Sequence, residues 1–348
     1  MNENQKKRVQ QIIDKAISKK YVKGVVFSIA SKADKETYSF CSGNLKSDSK
    51  YYIASINKLV LSALTLQLIH QKKLSFEDSL DKFYSYDELV GLHRYKGKEY
   101  TNNITISHLL SQTSGLPCYL SDKVKDNVSA IKELEAGIDQ AWSLEKVLTQ
   151  IKQMQAHFPP NNHQKAKYID TNHHLLNRIV ETVLEKSIVD ILDNLFCDLD
   201  MTNTYVCKDV YDHSYVFPYF KNEQRDISQF ITSTNNDIIS TATDQIKFIQ
   251  AFFNGYFYPK DKLHTLEKFN NIFFPFKYGV GIQMFYTPRI FSPFKATPNM
   301  LGHCGSTGSV AFYVPKKDLF IAGTTNQQAN PSAAFQTIIQ VINVLDQS

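Results

Sequence analysis

The sequence contains no apolar run of membrane-spanning length, no Cys-x-x-Cys, no His-Glu-x-x-His, no internal repeat and no low-complexity segment. The first absence leaves no membrane-spanning helix to predict. The start, Met1-Asn2-Glu3-Asn4-Gln5-Lys6-Lys7, is polar and has no apolar signal core. As it stands, the sequence leads to the expectation of a cytoplasmic protein, exported only if a leader has been removed. The five cysteines (Cys41, Cys118, Cys197, Cys207, Cys304) are odd in number and scattered, and they read as reduced thiols, not as a disulfide framework. His173 and His174 are adjacent, so on a helix they diverge by about 100° and cannot chelate together. No metal and no cofactor is expected. The net charge is only +5 and the lysines are dispersed, with no basic stripe interleaved with aromatics, which argues against a nucleic-acid partner.

What remains is an ordinary globular composition over 348 residues, 43% hydrophobic and 21% charged, enough for one large domain or two smaller ones. The 23 phenylalanines and 19 tyrosines suit a packed core and an aromatic-lined cleft equally well. An amphipathic first helix carries Val9, Ile12, Ile13, Ala16 and Ile17 on one face. Strands follow at Val25 to Ala30 and Glu36 to Ser42, with a polar turn over Ser31 to Lys35. From about residue 75 to 255 the pattern is mostly helical. One helix runs from about Asn172 to Lys186, and another follows an N-cap signal at Thr243-Asp244. Beyond residue 275, Val280, Ile282 and Met284 alternate with other residues. Val310 to Val314 and Leu319 to Thr324 flank a hairpin turn, Pro315-Lys316-Lys317-Asp318. A last helix spans Ser332 to Leu345. The expectation is an α+β fold with one sheet assembled from both ends of the chain. Residues 1–75 and 256–348 would form the sheet domain, and 76–255 a mostly helical one.

Within this frame one pair stands out. Ser55 and Lys58 lie three residues apart at the head of an apolar helical run, so they share a face and can reach hydrogen-bond distance. The string Ser-x-x-Lys also begins at Ser47, Ser79, Ser129, Ser143 and Ser292, and context separates them. Ser292 precedes a proline, Ser79 lies in an acidic turn, and Ser143 reads as an N-cap. Only Ser55 leads into a segment apolar nearly all round, from Leu59 to Ile69. Such a helix is buried and can desolvate Lys58. A neutral lysine there could act as base for a serine nucleophile. The bland alternative is a serine near a helix start with a lysine snorkelling outward.

Such a nucleophile needs a proton relay and an oxyanion site. Tyr168-Ile169-Asp170, just before the 172–186 helix, could supply a phenol as second acid/base, or simply a tyrosine at a helix start. Tyr100-Thr101-Asn102 competes but precedes a loop. Gly302-His303-Cys304-Gly305-Ser306-Thr307-Gly308-Ser309 has glycine at every third position, which lets a strand edge approach a ligand. There the Ser306 N–H could join the Ser55 N–H in an oxyanion hole, and His303 could hold a substrate carboxylate or polarise the site. A plain glycine-rich hairpin or a phosphate loop are the alternatives, the latter without the usual Lys-Ser/Thr.

With Ser55/Lys58, Tyr168/Asp170 and His303/Gly305 in this order, the chain resembles the serine β-lactamase and penicillin-binding protein family. More specifically it resembles the branch of class C β-lactamases, D-alanyl-D-alanine carboxypeptidases and esterases, which shows Ser-x-x-Lys, Tyr-x-Asn and Lys/His-x-Gly. The segments Leu74–Asp78, Ile104–Leu116, Leu199–Thr204 and Ser240–Asp244 match as well. The resemblance implies a β-lactamase/transpeptidase-like fold, with an antiparallel sheet flanked by helices, an all-helical domain, and the site between them. It implies a serine acyl-transfer hydrolase acting on amide, peptide or β-lactam carbonyls, with Ser55, Lys58 and Tyr168 catalytic and Asp170, His303, Gly305 and Ser306 around the substrate. A carboxylesterase for small acyl esters and a non-turnover penicillin-binding or sensor-like protein are the alternatives. Asp170 replaces the family's usual asparagine. A carboxylate there would favour a charged Lys58 unless it is protonated or turned away, and it would repel an acylamide oxygen. His303 stands where class C enzymes carry lysine.

Overall fold

The computed structural model describes residues 1–31, 36–124, 128–161, 165–233, 237–287 and 297–345. The expected turn over Ser31 to Lys35 and the string at Ser292 fall wholly or mostly outside these residues.

Helix α1 (Glu3–Ala16) starts with a capping box between Asn2 and Gln5 and buries Val9, Ile13 and Ala16. Strands β1 (Gly24–Ser31) and β2 (Thr37–Gly43) follow, then helix α2 (Asn57–His70). α2 is buried on nearly every side from Lys58 to Leu66, as its all-round apolar sequence dictates. Helices α3 (Thr171–Leu184), α4 (Ile188–Asp198) and α5 (Ala242–Asn254) occupy the middle of the chain. The C-terminal part supplies β3 (Asn270–Phe273), β4 (Phe276–Tyr278), β5 (Gln283–Phe285), β6 (Met300–Cys304), β7 (Ser309–Val314), β8 (Leu319–Thr324) and helix α6 (Ser332–Leu345).

The eight strands form one antiparallel sheet in the order β3-β4-β5-β6-β7-β8-β1-β2, so it is assembled from both ends of the chain. Its inner strands are apolar on both faces because both are covered. Val25, Phe27 and Ile29 of β1, with Val310, Phe312 and Val314 of β7, enter a core shared with α1 and α6. Val26 and Ala30, with Ala311, Phe320 and Ala322, enter the core on the other side, which is continuous with α2, α3 and α5. α5 lies in the stretch expected to be helical, but it packs on β8, β1 and β7. Its cap is Thr241, whose side chain accepts from the Asp244 N–H, two residues before the expected signal. The alternation expected from Val280 becomes regular strand only at Gln283, because Gly279 and Gly281 make loop contacts with Ile282 and Leu110. Ser143 caps the helix Leu144–Ile151, as read from the sequence. Among the described residues no helix is long and apolar enough to cross a membrane.

Candidate active site

The chain reaches Ser55 through a strained elbow. Tyr51–Tyr52 pairs with the strand Ile238–Ser240. Ala54 then takes φ +50°, a left-handed conformation that non-glycine residues rarely adopt. Ser55 follows in a single 3₁₀ turn, Ala54–Ile56, which leads directly into α2. The turn between β6 and β7 closes on this elbow from the other side. Ser309 Oγ donates to the Ile53 carbonyl at 2.7 Å and Thr307 Oγ1 to the Tyr52 carbonyl at 3.2 Å. Gly305 makes that approach possible, since a Cβ there would come within 2.6 Å of the Ile53 carbonyl oxygen and 2.8 Å of the Ala54 Cβ. Ser306, at the exposed tip of this turn, is thereby held beside Ser55, and the two line the same cavities.

Lys58 Nζ donates to Ser55 Oγ at 2.9 Å and pairs with Asp170 Oδ1 at 2.8 Å. Lys58 and Asp170 are both buried, at 7% exposure each. The carboxylate is therefore neither turned away nor solvated. Burial works against both charges, but the attraction and hydrogen bond between them outweigh it, so Lys58 is raised and Asp170 lowered. The resting pair is an ammonium and a carboxylate. The second oxygen, Asp170 Oδ2, accepts from Cys118 Sγ at 3.3 Å, and the Asp170 N–H donates to the same sulfur. Burial, helped by Asp170, pushes this thiol up to about 12, so it remains a donor.

Tyr168 is half-buried and its ring lies 5.4 Å from Lys58 Nζ. Burial, with the Asp170 charge, drives the phenol well above its ordinary pKa, and a hydrogen bond with Ser55 works against this. Gln112, buried and itself at φ +61°, clamps the Tyr168 segment. Its carbonyl accepts from the Lys167 N–H at 3.0 Å and its side-chain oxygen from the Ile169 N–H at 2.8 Å. His303 is wholly buried and lines neither cavity beside Ser55; its ring packs against Tyr168 and Tyr278 at 6.0 and 5.7 Å. Its Nδ1–H donates to the Cys304 carbonyl at 2.8 Å, which leaves Nε2 the bare nitrogen. Burial, seconded by the Lys58 charge, pushes it down to about 3, so it is neutral. In this position it backs Tyr168 and does not reach out to a substrate carboxylate.

Sequence reasoning passed over four of the residues that build the site. Gln112 and Cys118 are two. Gln283 is the third: its side-chain oxygen accepts from the Cys304 N–H and Sγ at 3.1 Å each. The fourth is Asp237, which accepts from Tyr52 Oη at 3.0 Å and Asn57 Nδ2 at 2.8 Å on the cleft wall. Gln112 lies inside the matching segment Ile104–Leu116, which carried no role for it, and the other three lie outside every motif; only the fold brings them in. Tyr100, the competing tyrosine, lies against His93, away from Ser55. Among the described residues no group of three or more His, Cys, Asp or Glu side chains could hold a metal ion.

The Beta-lactamase family profile matches residues 9–344. The chain belongs to the Beta-lactamase family. No curated protein matches it by sequence. Among solved structures, it is similar to the D-amino acid amidase from Ochrobactrum anthropi SV3 complexed with L-phenylalanine amide, at 17% identity and a TM-score of 0.78 over 99% of both chains. EstCE1, a hydrolase with promiscuous acyltransferase activity, gives 17% identity and a TM-score of 0.76 over 99% of this chain and 98% of that one. The octameric penicillin-binding protein homologue from Pyrococcus abyssi gives 20% identity and a TM-score of 0.71 over 96% of this chain and 75% of that one. These likenesses show a shared β-lactamase/transpeptidase-like fold. Family membership supports a serine hydrolase.

Proposed function

We propose that this protein is a serine acyl-transfer hydrolase working through a covalent acyl-enzyme. The observation that carries the reading is Ser55 Oγ accepting from Lys58 Nζ at 2.9 Å at the meeting point of two cavities. Ser55 attacks the carbonyl of a small-molecule or peptide acyl substrate. Lys58, once it has shed its proton, accepts the one from Ser55, and Tyr168 relays a proton to the leaving group. The Ser55 and Ser306 N–H groups hold the oxyanion, with the start of α2 adding its dipole. Gly305 admits the close approach, while Asp170 sets the charge of Lys58 and His303 backs Tyr168.

Amide, peptide and β-lactam carbonyls are the first substrate class, and the likeness to an amidase that binds an amino-acid amide supports amide bonds. Small acyl esters are the second. Asp170 favours them over β-lactams, because its carboxylate stands on the cleft wall where it would repel the acylamide oxygen of a penicillin side chain. Intact-mass profiling with a fluorophosphonate, a penicillin and an ester panel tests the reading. The fluorophosphonate is expected on Ser55, with Ser55→Ala abolishing both label and turnover. A stable penicillin adduct without ester or amide turnover would point to the non-turnover binder. If no acyl donor and no fluorophosphonate modifies Ser55, the catalytic reading is wrong.

A further inference from the structure

Ser55 lies between two unlike cavities. The first, on the α3 side, has a volume of only about 60 Å³ and mixed walls, in which Asp170, His174 and Asp237 stand beside Leu120, Phe220 and Phe230. The second opens between the sheet edge and the start of α6, has about 420 Å³, and is walled by Phe273, Phe276, Phe285, Phe335 and Ile339. Its aromatic wall runs continuously from the site. Tyr168 meets Phe273 edge-on at 6.2 Å, Phe273 meets Phe276 at 5.1 Å, and Phe276 meets Phe335 at 5.2 Å. Phe335 in turn stacks on Phe285 at 4.6 Å and 15°. These rings pack against one another and still leave the cavity open, and Phe273 remains 50% exposed.

Which half of a substrate enters each cavity follows from the proton donor. A general acid must lie on the side where the leaving group departs. Tyr168 lines the aromatic cavity and not the narrow one, whereas Ser55 and Ser306 line both. The acyl-bearing carbon bonded to Ser55 therefore extends into the narrow cavity, and the departing oxygen or nitrogen carries its substituent into the aromatic one.

We infer that the substrates are esters or amides of a small acyl group with a bulky apolar alcohol or amine, and that the aromatic cavity binds that leaving group. The inference rests on the serine hydrolase reading above. In the acylation step the Ser55 Oγ–carbon bond forms and the carbon–leaving-group bond breaks. The proton lost by Ser55 is delivered through Lys58 and Tyr168 to the departing atom. The alcohol or amine leaves neutral, and water then hydrolyses the acyl-enzyme.

Two isomeric esters separate this from the reverse arrangement: 2-naphthylmethyl acetate puts the ring system on the leaving group, and methyl 2-naphthylacetate puts it on the acyl group. Both release a simple primary alcohol, so leaving-group acidity is nearly matched. The acetate is expected to show kcat/KM at least about tenfold higher, the scale set by one well-seated apolar group. Ser332→Trp and, separately, Gln336→Trp put bulk into the cavity from the exposed first turns of α6, and each should bring the ratio of the two kcat/KM values towards one. Either variant suffices if the other fails to fold. Equal or reversed preference in the wild type, or turnover of neither isomer by protein whose Ser55 takes a fluorophosphonate, overturns this inference alone. No turnover and no label overturns the hydrolase reading with it.

Discussion

At Lys58 one residue decides the chemistry. A base must be unprotonated to take the Ser55 proton, yet Asp170 at 2.8 Å holds Lys58 as an ammonium despite its burial. Below its pKa the amine fraction rises about tenfold per pH unit, so wild-type kcat/KM should climb through neutral into alkaline pH. Asp170→Asn restores the residue usual in the family and removes the counter-charge. Burial, the largest influence on Lys58, then outweighs the weaker pull of Tyr278 and Asp237 and lowers it. The rising limb of the pH–rate profile should move to lower pH, and ester hydrolysis at pH 7 should increase by about tenfold or more. Because Lys58 can shed its proton, the stability lost should fall short of the ~3–5 kcal/mol of an orphaned buried charge. A limb that does not move on this substitution would mean that Lys58 is not the base. The sequence already singled out Asp170 as the doubtful position. What it could not show was which way the carboxylate points.

At the scale of the element, the β6–β7 turn is a positioning device. Its tip carries Ser306, and two side-chain hydrogen bonds, from Thr307 and Ser309, fasten it to the carbonyls just before the nucleophile. The glycine spacing at 302, 305 and 308 was legible as a strand edge built for close approach. At Gly305 the object approached is the Ser55 elbow itself, which no local pattern announces, whereas Gly302 faces β7 and Gly308 faces Thr325. Gly305→Ala tests the device. Its Cβ would meet Ser309 Oγ, the Ile53 carbonyl and the Ala54 Cβ, and two of those three belong to the elbow. The turn must shift away, which costs about 1–3 kcal/mol of stability as overpacking and displaces the Ser306 N–H from the oxyanion position. kcat should fall by about a hundredfold, the scale of one lost oxyanion donor, with KM changing far less. A kcat loss matched by an equal rise in KM would assign the turn to substrate binding instead.

Over the whole molecule, legibility tracked sequence distance. α1, β1, the β7–β8 hairpin and α6 were readable because each carries an apolar pattern, β2 because it follows β1 across a polar turn, and the buried helix picked Ser55 from six similar strings. β3 and β4 were missed because, at four and three residues, they are too short for an alternating pattern to stand out. Gln112, Cys118 and Asp237 were missed as site residues because their partners lie far along the chain. The same long-range wiring holds the loops under the site through Asp122. Its carboxylate accepts from the Cys118 N–H at 2.8 Å, from His157 Nε2 at 2.6 Å, and from Lys167 Nζ, the residue before Tyr168. Burial alone would raise Asp122, but these three donors hold it well below the usual carboxylate range. A depressed carboxylate contributes stability that is fully present above its unfolded pKa of about 3.9 and is lost as pH falls towards the folded value. Asp122→Asn should therefore lower Tm at pH 7, by an amount corresponding to about 1–3 kcal/mol. The gap to wild type should narrow steadily below about pH 4, as thermal unfolding at pH 7, 4 and 3 would show. Because Cys118 touches Asp170 and Lys167 precedes Tyr168, the variant should also lose ester turnover at pH 7 before it loses its fold. A Tm gap that is the same at pH 3 and pH 7 would assign the effect of Asp122 to packing instead of charge.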